Sequence, residues 1–298
     1  MRKSTTRLLA VFLVLLLFIS FFYSGNAAAQ NPKTFMWKVQ SKTTTVYVLG
    51  SAHLMKKEIY PLNRKIEDAF EKSSILAVEA NINDIAKIDM QRLVSSAFYQ
   101  GDDTLERHVS KETYKLLKKE TMPLGIPIEL INKQKPWFLA LTLESMELMK
   151  LGFNPQYGID HYFLKKTAGK KKIVEIESID YQLSLLSGFS DSDQELFLLY
   201  TLKDLKTLQR ETDKLLRAWR TGDVKSMEEI ALKAGEDRRL TRIFEKLYYE
   251  RNLAMSSKIE EFLRTKETYF VVVGAGHLVG DKGIIDLLKR KGYLVEQI

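Results

Sequence analysis

"VYVLGSAHL" (residues 46–54) and "FVVVGAGHL" (residues 270–278) decide how this chain is expected to fold. Each is an apolar, β-branched run that leads into Gly-x-x-His-Leu. Short apolar runs bounded by glycine suit strands covered on both faces, as in a mostly parallel sheet flanked by helices. Glycine permits a sharp exit, so each histidine is expected just past the carboxyl end of its strand. In open α/β sheets, ligands bind at that edge. The chain has four histidines in all, and His53 and His277 occupy the same place in the two copies. A single histidine after a strand is more often a packed residue than a ligand; two in duplicated motifs shift that balance.

Other strand candidates extend the pattern. "TFMWKVQ" and the run ending at Gly50 alternate and are separated by Ser41-Lys42, which predicts a hairpin. "SILAVEA" (74–80), "KKIVEIE" (171–177) and "YLVEQI" (293–298) complete the set. Glu79 and Glu177 close two of these runs, so two carboxylates are expected at the edge that receives the histidines. Between the strands the helical period dominates. Pro61 is expected in the first turn of a helix with Leu62, Ile66, Ala69 and Phe70 as its stripe, and the segment from Trp137 to Leu151 reads as a buried helix. A mostly helical region follows from about Ser190 to Phe262. Within it Leu240, Ile243, Phe244, Leu247, Tyr248, Met255, Ile259 and Phe262 form one stripe, and Arg251 stands where another leucine is expected. A cation on a buried face needs a carboxylate partner or an anionic ligand, unless it reaches the rim by its long stem. No low-complexity linker divides the chain. The expected fold is one α/β domain with a mixed, mostly parallel sheet, flanking helices and a large helical insertion.

Composition narrows the chemistry. Of 298 residues none is cysteine, which excludes disulfides, thiolate nucleophiles and zinc-cysteine sites, so any metal must be held by nitrogen and oxygen. No His-Glu-x-x-His, phosphate-binding loop or Gly-x-Ser-x-Gly is present. Residues 1–29 read as an export signal: Arg2, Lys3 and Arg7, sixteen uncharged residues from Leu8 to Tyr23, then Ala27-Ala28-Ala29 as a cleavage site. The other reading is an uncleaved anchor, although the run is short of the about 20 residues of a membrane span. The rest, residues 30–298, carries 43 basic and 38 acidic residues. That mild surplus, with no basic stripe interleaved with aromatics, argues against nucleic acid as a partner. The densest run, "KKTAGKKK" at 165–172, reads as a solvated helix end and loop. Glycines after the last long apolar run resemble a dinucleotide loop, but the chain stops at Ile298, too soon for a nucleotide-binding fold.

With "MWKVQ", "GSAHL", "VEA", "YGIDHYFL", "EIES", "WRTGD", "ERNLAM" and "GAGHLVGDKGIIDLLKRKGYLV" in this order, the sequence resembles the TraB/GumN/PrgY family, relatives of the Tiki proteins, over nearly all of residues 30–298. The resemblance implies an exported metal-dependent hydrolase, with peptidase activity on peptides or proteins. Carried onto this chain, it makes His53, His277 and Glu79 motif residues, and it matches Glu177 and Arg251 to further family positions. Where related members have an aspartate two residues after the first acid, this chain has Asn81, which offers an oxygen to a metal but cannot take a proton. Wider relatives include erythromycin-esterase-like hydrolases and haem-iron binding lipoproteins, so the scaffold does not fix the chemistry.

The leading expectation is hydrolysis assisted by a divalent metal. His53 and His277 donate nitrogen, Glu79 or Glu177 donates oxygen, and a water is activated in an open position. The other glutamate serves as general base if its surroundings lift its pKa, and Arg251 orients a carboxylate or stabilises a developing oxyanion. Such ligands suit zinc, manganese or cobalt. The alternative is a binding protein that captures a peptide signal or haem without turnover, and a third reading treats both histidines as packing residues.

Overall fold

A computed structural model describes residues 33–82 and 89–298. The segment read as an export signal lies outside the described residues. Six strands form one sheet: β1 (Met36–Gln40), β2 (Thr45–Ser51), β3 (Ile75–Val78), β4 (Lys172–Glu175), β5 (Tyr269–Gly274) and β6 (Leu294–Gln297), in the spatial order β4-β3-β5-β2-β1-β6. All six coincide with runs read as strands from the sequence, β2 extending one residue beyond its run, to Ser51. β1 and β2 form the expected antiparallel hairpin, β6 pairs antiparallel with β1, and β4, β3, β5 and β2 run parallel.

The position of β5 organises the site. Although nearly last in the chain, it enters between β2 and β3, pairing Ser51 with Gly274 on one side and Val78 with Val272 on the other. The four parallel strands therefore end on the same edge, and the chain leaves them toward His53, His277, Glu79 and Glu177.

Alternation along β5 shows what covers each face, because successive side chains of a strand point to opposite sides. Phe270 packs against Phe70 of helix Arg64–Lys72 and Phe163 of helix Ile159–Thr167, at ring separations of 5.5 and 4.7 Å. Its neighbour Tyr269 stacks at 4.3 Å on Phe262 of helix Glu250–Leu263. The sheet is thus the middle of three layers. Each fully buried Leu, Val or Phe contributes on the order of 1.5–3 kcal/mol by leaving water, and β3 is buried at all four positions.

Several local expectations change. Pro61 lies before its helix, which begins at Arg64 with the Asn63 side chain accepting from the Lys65 N–H. The expected stripe of Leu62, Ile66, Ala69 and Phe70 is buried all the same. Helix Pro136–Lys150 buries Trp137, Leu139, Ala140 and Leu143 in its first half, while Met149 near its end is exposed. Hydrophobicity on every side therefore did not mean burial on every side. The helical region read from about Ser190 to Phe262 does lie between β4 and β5, and it is one of two pieces, the other standing between β3 and β4. Leu105, Leu117, Leu139, Leu143, Leu198 and Leu202 from both pieces share a core apart from the sheet. Helix Glu250–Leu263 belongs instead to the sheet sandwich, through Met255, Ile259 and Phe262. Among the described residues no helix is long and apolar enough to cross a membrane.

Candidate active site

The two Gly-x-x-His copies leave the sheet differently. β5 stops at Gly274, and a short turn, Ala275–His277, delivers the second histidine. β2 continues through Gly50 to Ser51, so the first histidine sits only two residues past its strand. Gly50 is accordingly less a turn than a point of close approach: a Cβ there would stand 2.5 Å from Phe35 Cδ1.

His277 is buried, and its Nδ1 lies 2.7 Å from Asn252 Oδ1. Tyr248 packs against its ring at 5.1 Å. Burial pushes the imidazole pKa down to about 4, against the opposing pull of the Glu79 charge. His53 has a half-exposed side chain whose Nδ1 lies 3.0 Å from Asp160 Oδ2. Asp160 is itself buried on helix Ile159–Thr167 and also accepts from the Ser51 hydroxyl at 3.1 Å. The negative charge of Asp160 raises the His53 pKa to about 9, although solvent screens part of that pull at a half-exposed ring. The Ile159 N–H donates to the Ala52 carbonyl, tying this helix to the first histidine turn.

Glu79 and Glu177 meet over Arg251. The Arg251 NH2 group donates to Glu79 Oε1 in a short contact and to Glu177 Oε2 at 2.8 Å, its Nε donates to Glu177 Oε1 at 3.0 Å, and its NH1 donates to the Leu247 carbonyl at 3.1 Å. Gln182, from helix Ile179–Ser187, donates to Glu79 Oε1 at 2.9 Å and to Glu177 Oε2 at 3.0 Å. The remaining Glu79 oxygen, Oε2, accepts from the Gly274 N–H at 3.0 Å. Burial alone would raise the Glu79 pKa; His277, Arg251, His53 and that N–H together hold it down at about 2. This is the opposite of the lift that a carboxylate general base requires. Arg251, with its fork turned inward on two carboxylates, answers the question its position on an apolar stripe raised: it has carboxylate partners, Glu79 and Glu177.

A five-residue π-helical turn, Glu245–Tyr249, immediately precedes helix Glu250–Leu263, which carries Arg251. Such insertions frequently sit at functional sites. This one supplies both Tyr248 against His277 and the Leu247 carbonyl under Arg251.

Asp160, Asn252, Gln182 and Ser51 were not singled out from the sequence. Asn252 had a signal, since it lies beside Arg251 and only three positions before Met255, on the same buried face. Asp160 had one too, as part of the quoted "YGIDHYFL", although its pairing with His53 depends on a helix brought in by tertiary packing; Gln182 had none. His108 bonds Asp103 at 2.7 Å and stacks on Tyr99, away from this cluster.

The donor chemistry fits a divalent ion in kind. Both histidines have Nδ1 engaged by an oxygen, the arrangement that turns Nε2 outward in metal-ligating histidines. His277 Nε2 and Glu79 Oε2 both lie within 4 Å of the point where a Gly274 Cβ would be, at 3.9 and 3.5 Å. Among the described residues, no three His, Asp or Glu side chains already stand close enough to enclose an ion.

The sequence profile of the TraB/PrgY/gumN family matches residues 35–297, from β1 to the end of β6. The chain belongs to this family. Its relatives divide in what is said of them. An uncharacterized protein of Escherichia coli, YbaP, is 26% identical, with 82% of this chain and 87% of that protein covered. A metalloprotease TIKI homolog of Nematostella vectensis is 23% identical over 90% of this chain and 68% of its own length. Metalloprotease TIKI1 of Xenopus tropicalis is 22% identical, over 90% and 62%. No solved structure matches. This member of the TraB/PrgY/gumN family is thus a distant homologue of proteins named metalloproteases.

Proposed function

We propose that the protein is an exported metal-dependent hydrolase acting on peptides or proteins. The observation that carries this reading is the arrival of two Gly-x-x-His imidazoles, from adjacent parallel strands, beside a buried ionised carboxylate. In this reading His53 and His277 hold a zinc, manganese or cobalt ion through Nε2, with Glu79 Oε2 as the oxygen donor. The bound ion supplies Lewis acidity toward water and the scissile carbonyl. Glu79, Glu177 and Arg251 together carry one surplus negative charge, which favours a cation over an anion in the crevice. Arg251 and Gln182 fix the Glu79 carboxylate, and Glu177 shares their hold. The distant TIKI metalloproteases support the reaction class, and the character of residues 1–29 supports export.

Purified protein tests this directly, by metal analysis and by a peptide library assayed with and without chelator. Cleavage is expected to require the ion and to fall at least about 100-fold in His277→Ala and Glu79→Gln, on the order expected when a direct contributor to the reaction is removed. Cleavage that survives both substitutions overturns the assignment. For export, the secreted or periplasmic form is expected to begin at Gln30.

One observation favours a second reading. Both acids are already bonded to Arg251 and Gln182, which suits a site that captures a peptide signal or haem without turnover. Tight peptide binding with no cleavage, or a Soret band on adding haem, selects that reading.

A further inference from the structure

A histidine offers a metal only the nitrogen that its other nitrogen's hydrogen bond leaves bare. At His277 the neighbouring amide settles which one this is. Asn252 Nδ2 donates to the Lys282 carbonyl at 2.9 Å, so the atom facing His277 Nδ1 at 2.7 Å is Oδ1, an acceptor. Nδ1 therefore carries the proton and Nε2 is bare, in the neighbourhood it shares with Glu79 Oε2. At His53 the Asp160 carboxylate holds the Nδ1 proton on Oδ2 while Oδ1 takes the Ser51 hydroxyl, so Nε2 is the nitrogen that gives up its proton when the ring takes a cation. Asp160 and Asn252 are each 2% exposed. Polar groups so deeply buried must be paired, and pairing to the histidines is what these two provide.

We propose that Asp160 and Asn252 are positioning residues, a carboxylate and an amide that fix the tautomer and ring orientation of His53 and His277 so that both present Nε2 to one divalent cation. The proposal rests on the metal-site reading above. Neither residue touches the ion; each acts through the histidine it holds. Asn252 has a further part, since its bond to Lys282 ties helix Glu250–Leu263 to the loop that follows the second motif.

The test has two arms. In the first, Co2+ and Zn2+ are titrated into full-length wild type, Asp160→Ala, Asp160→Asn, Asn252→Ala and Asn252→Asp, with the Co2+ absorption spectrum as a readout of ligand geometry. Loss of a group holding a ligating histidine is expected to weaken affinity about 10–100-fold. Asp160→Asn and Asn252→Asp each keep an acceptor oxygen toward Nδ1 and are expected to recover part of that loss. They also serve where an alanine variant fails to fold. The second arm needs no metal: long-range 15N–1H spectra report the tautomer of each of the four histidines. Wild-type His277 is expected as the Nδ1–H form, retained in Asn252→Asp and lost in Asn252→Ala. If wild type binds neither ion, the metal reading falls while the tautomer arm still judges the positioning claim. If the alanine variants bind as tightly as wild type, or His277 keeps its Nδ1–H form in Asn252→Ala, the positioning claim is overturned.

Discussion

The two Gly-x-x-His turns are near copies in sequence and neighbours in the sheet, yet their histidines inhabit unlike surroundings. His277 is buried, backed by the amide of Asn252, and pushed toward its neutral form at about pH 4. His53 is half exposed, backed by the Asp160 carboxylate, and lifted toward its charged form at about pH 9. The motif places each ring at the sheet edge; it does not set the ring's chemistry. That is set by whichever helix packs over it, Glu250–Leu263 in one case and Ile159–Thr167 in the other.

The largest expected effect comes from removing what the two histidines share. Arg251 is the cation between two acids whose side chains are each 5% exposed. Arg251→Leu leaves two carboxylates facing each other without it, and breaking a buried ion pair from one side costs about 3–5 kcal/mol. Urea denaturation of wild type and variant is expected to show a loss of that size near neutral pH, shrinking as the pH falls and the acids are protonated. A loss below about 1 kcal/mol at neutral pH would mean that water reaches the cluster and the clamp is superficial.

The unlike environments also mark where sequence reading stopped. All six strands were legible as short β-rich runs, and the runs of the four parallel ones lead into Gly or Glu, from which followed the meeting of His53, His277, Glu79 and Glu177 at one edge. Arg251 was legible as a charge out of place on an apolar stripe. The order β3-β5-β2 was not, since nothing local says that a strand near the end of the chain enters the middle of the sheet. The partners of the histidines were hidden for the same reason. Asp160 lies over a hundred residues from His53 in sequence, and its pairing exists only once a helix has docked. That helices from both sides of β4 share one core was not legible either, because periodicity records which face of a helix is apolar, not which core receives it.

A smaller effect separates the two motif glycines. A Cβ on Gly50 would meet Phe35 at 2.5 and 2.9 Å and the Ala275 backbone at 3.1 Å. Phe35 is fully buried and packed edge-on against Trp37, so Gly50→Ala is expected to cost about 1–3 kcal/mol through overpacking. At Gly274 the Cβ would meet His277 Cδ2 at 3.2 Å and Glu79 Oε2 at 3.5 Å, contacts that ask for a few tenths of an ångström of adjustment. Gly274→Ala is expected to stay within about 1 kcal/mol of wild type while displacing the His277 resonances. Thermal melts paired with histidine NMR check both; equal stability losses at the two positions would remove the distinction between packing glycine and site glycine.

The smallest effect is the slope of stability with pH, and its sign differs between the copies. A folded-state pKa of about 9 at His53, against an ordinary 6.5, means that folding favours the protonated ring. That contribution is complete below about pH 6.5 and is lost as the pH rises toward 9. At His277 the folded value of about 4 means that folding favours the neutral ring. Its contribution is complete above about pH 6.5 and is lost as the pH falls toward 4; Glu79, held at about 2, adds a further loss between 4.5 and 2. The melting temperature of the metal-free protein is therefore expected to decline on both sides of about pH 6.5. His53→Ala should flatten the alkaline side and His277→Ala the acid side between 6.5 and 4, with the His53 change reduced by solvent at its half-exposed ring. Were His53→Ala to flatten the acid side instead, the assignment of the charged ring to the Asp160-backed copy would be reversed.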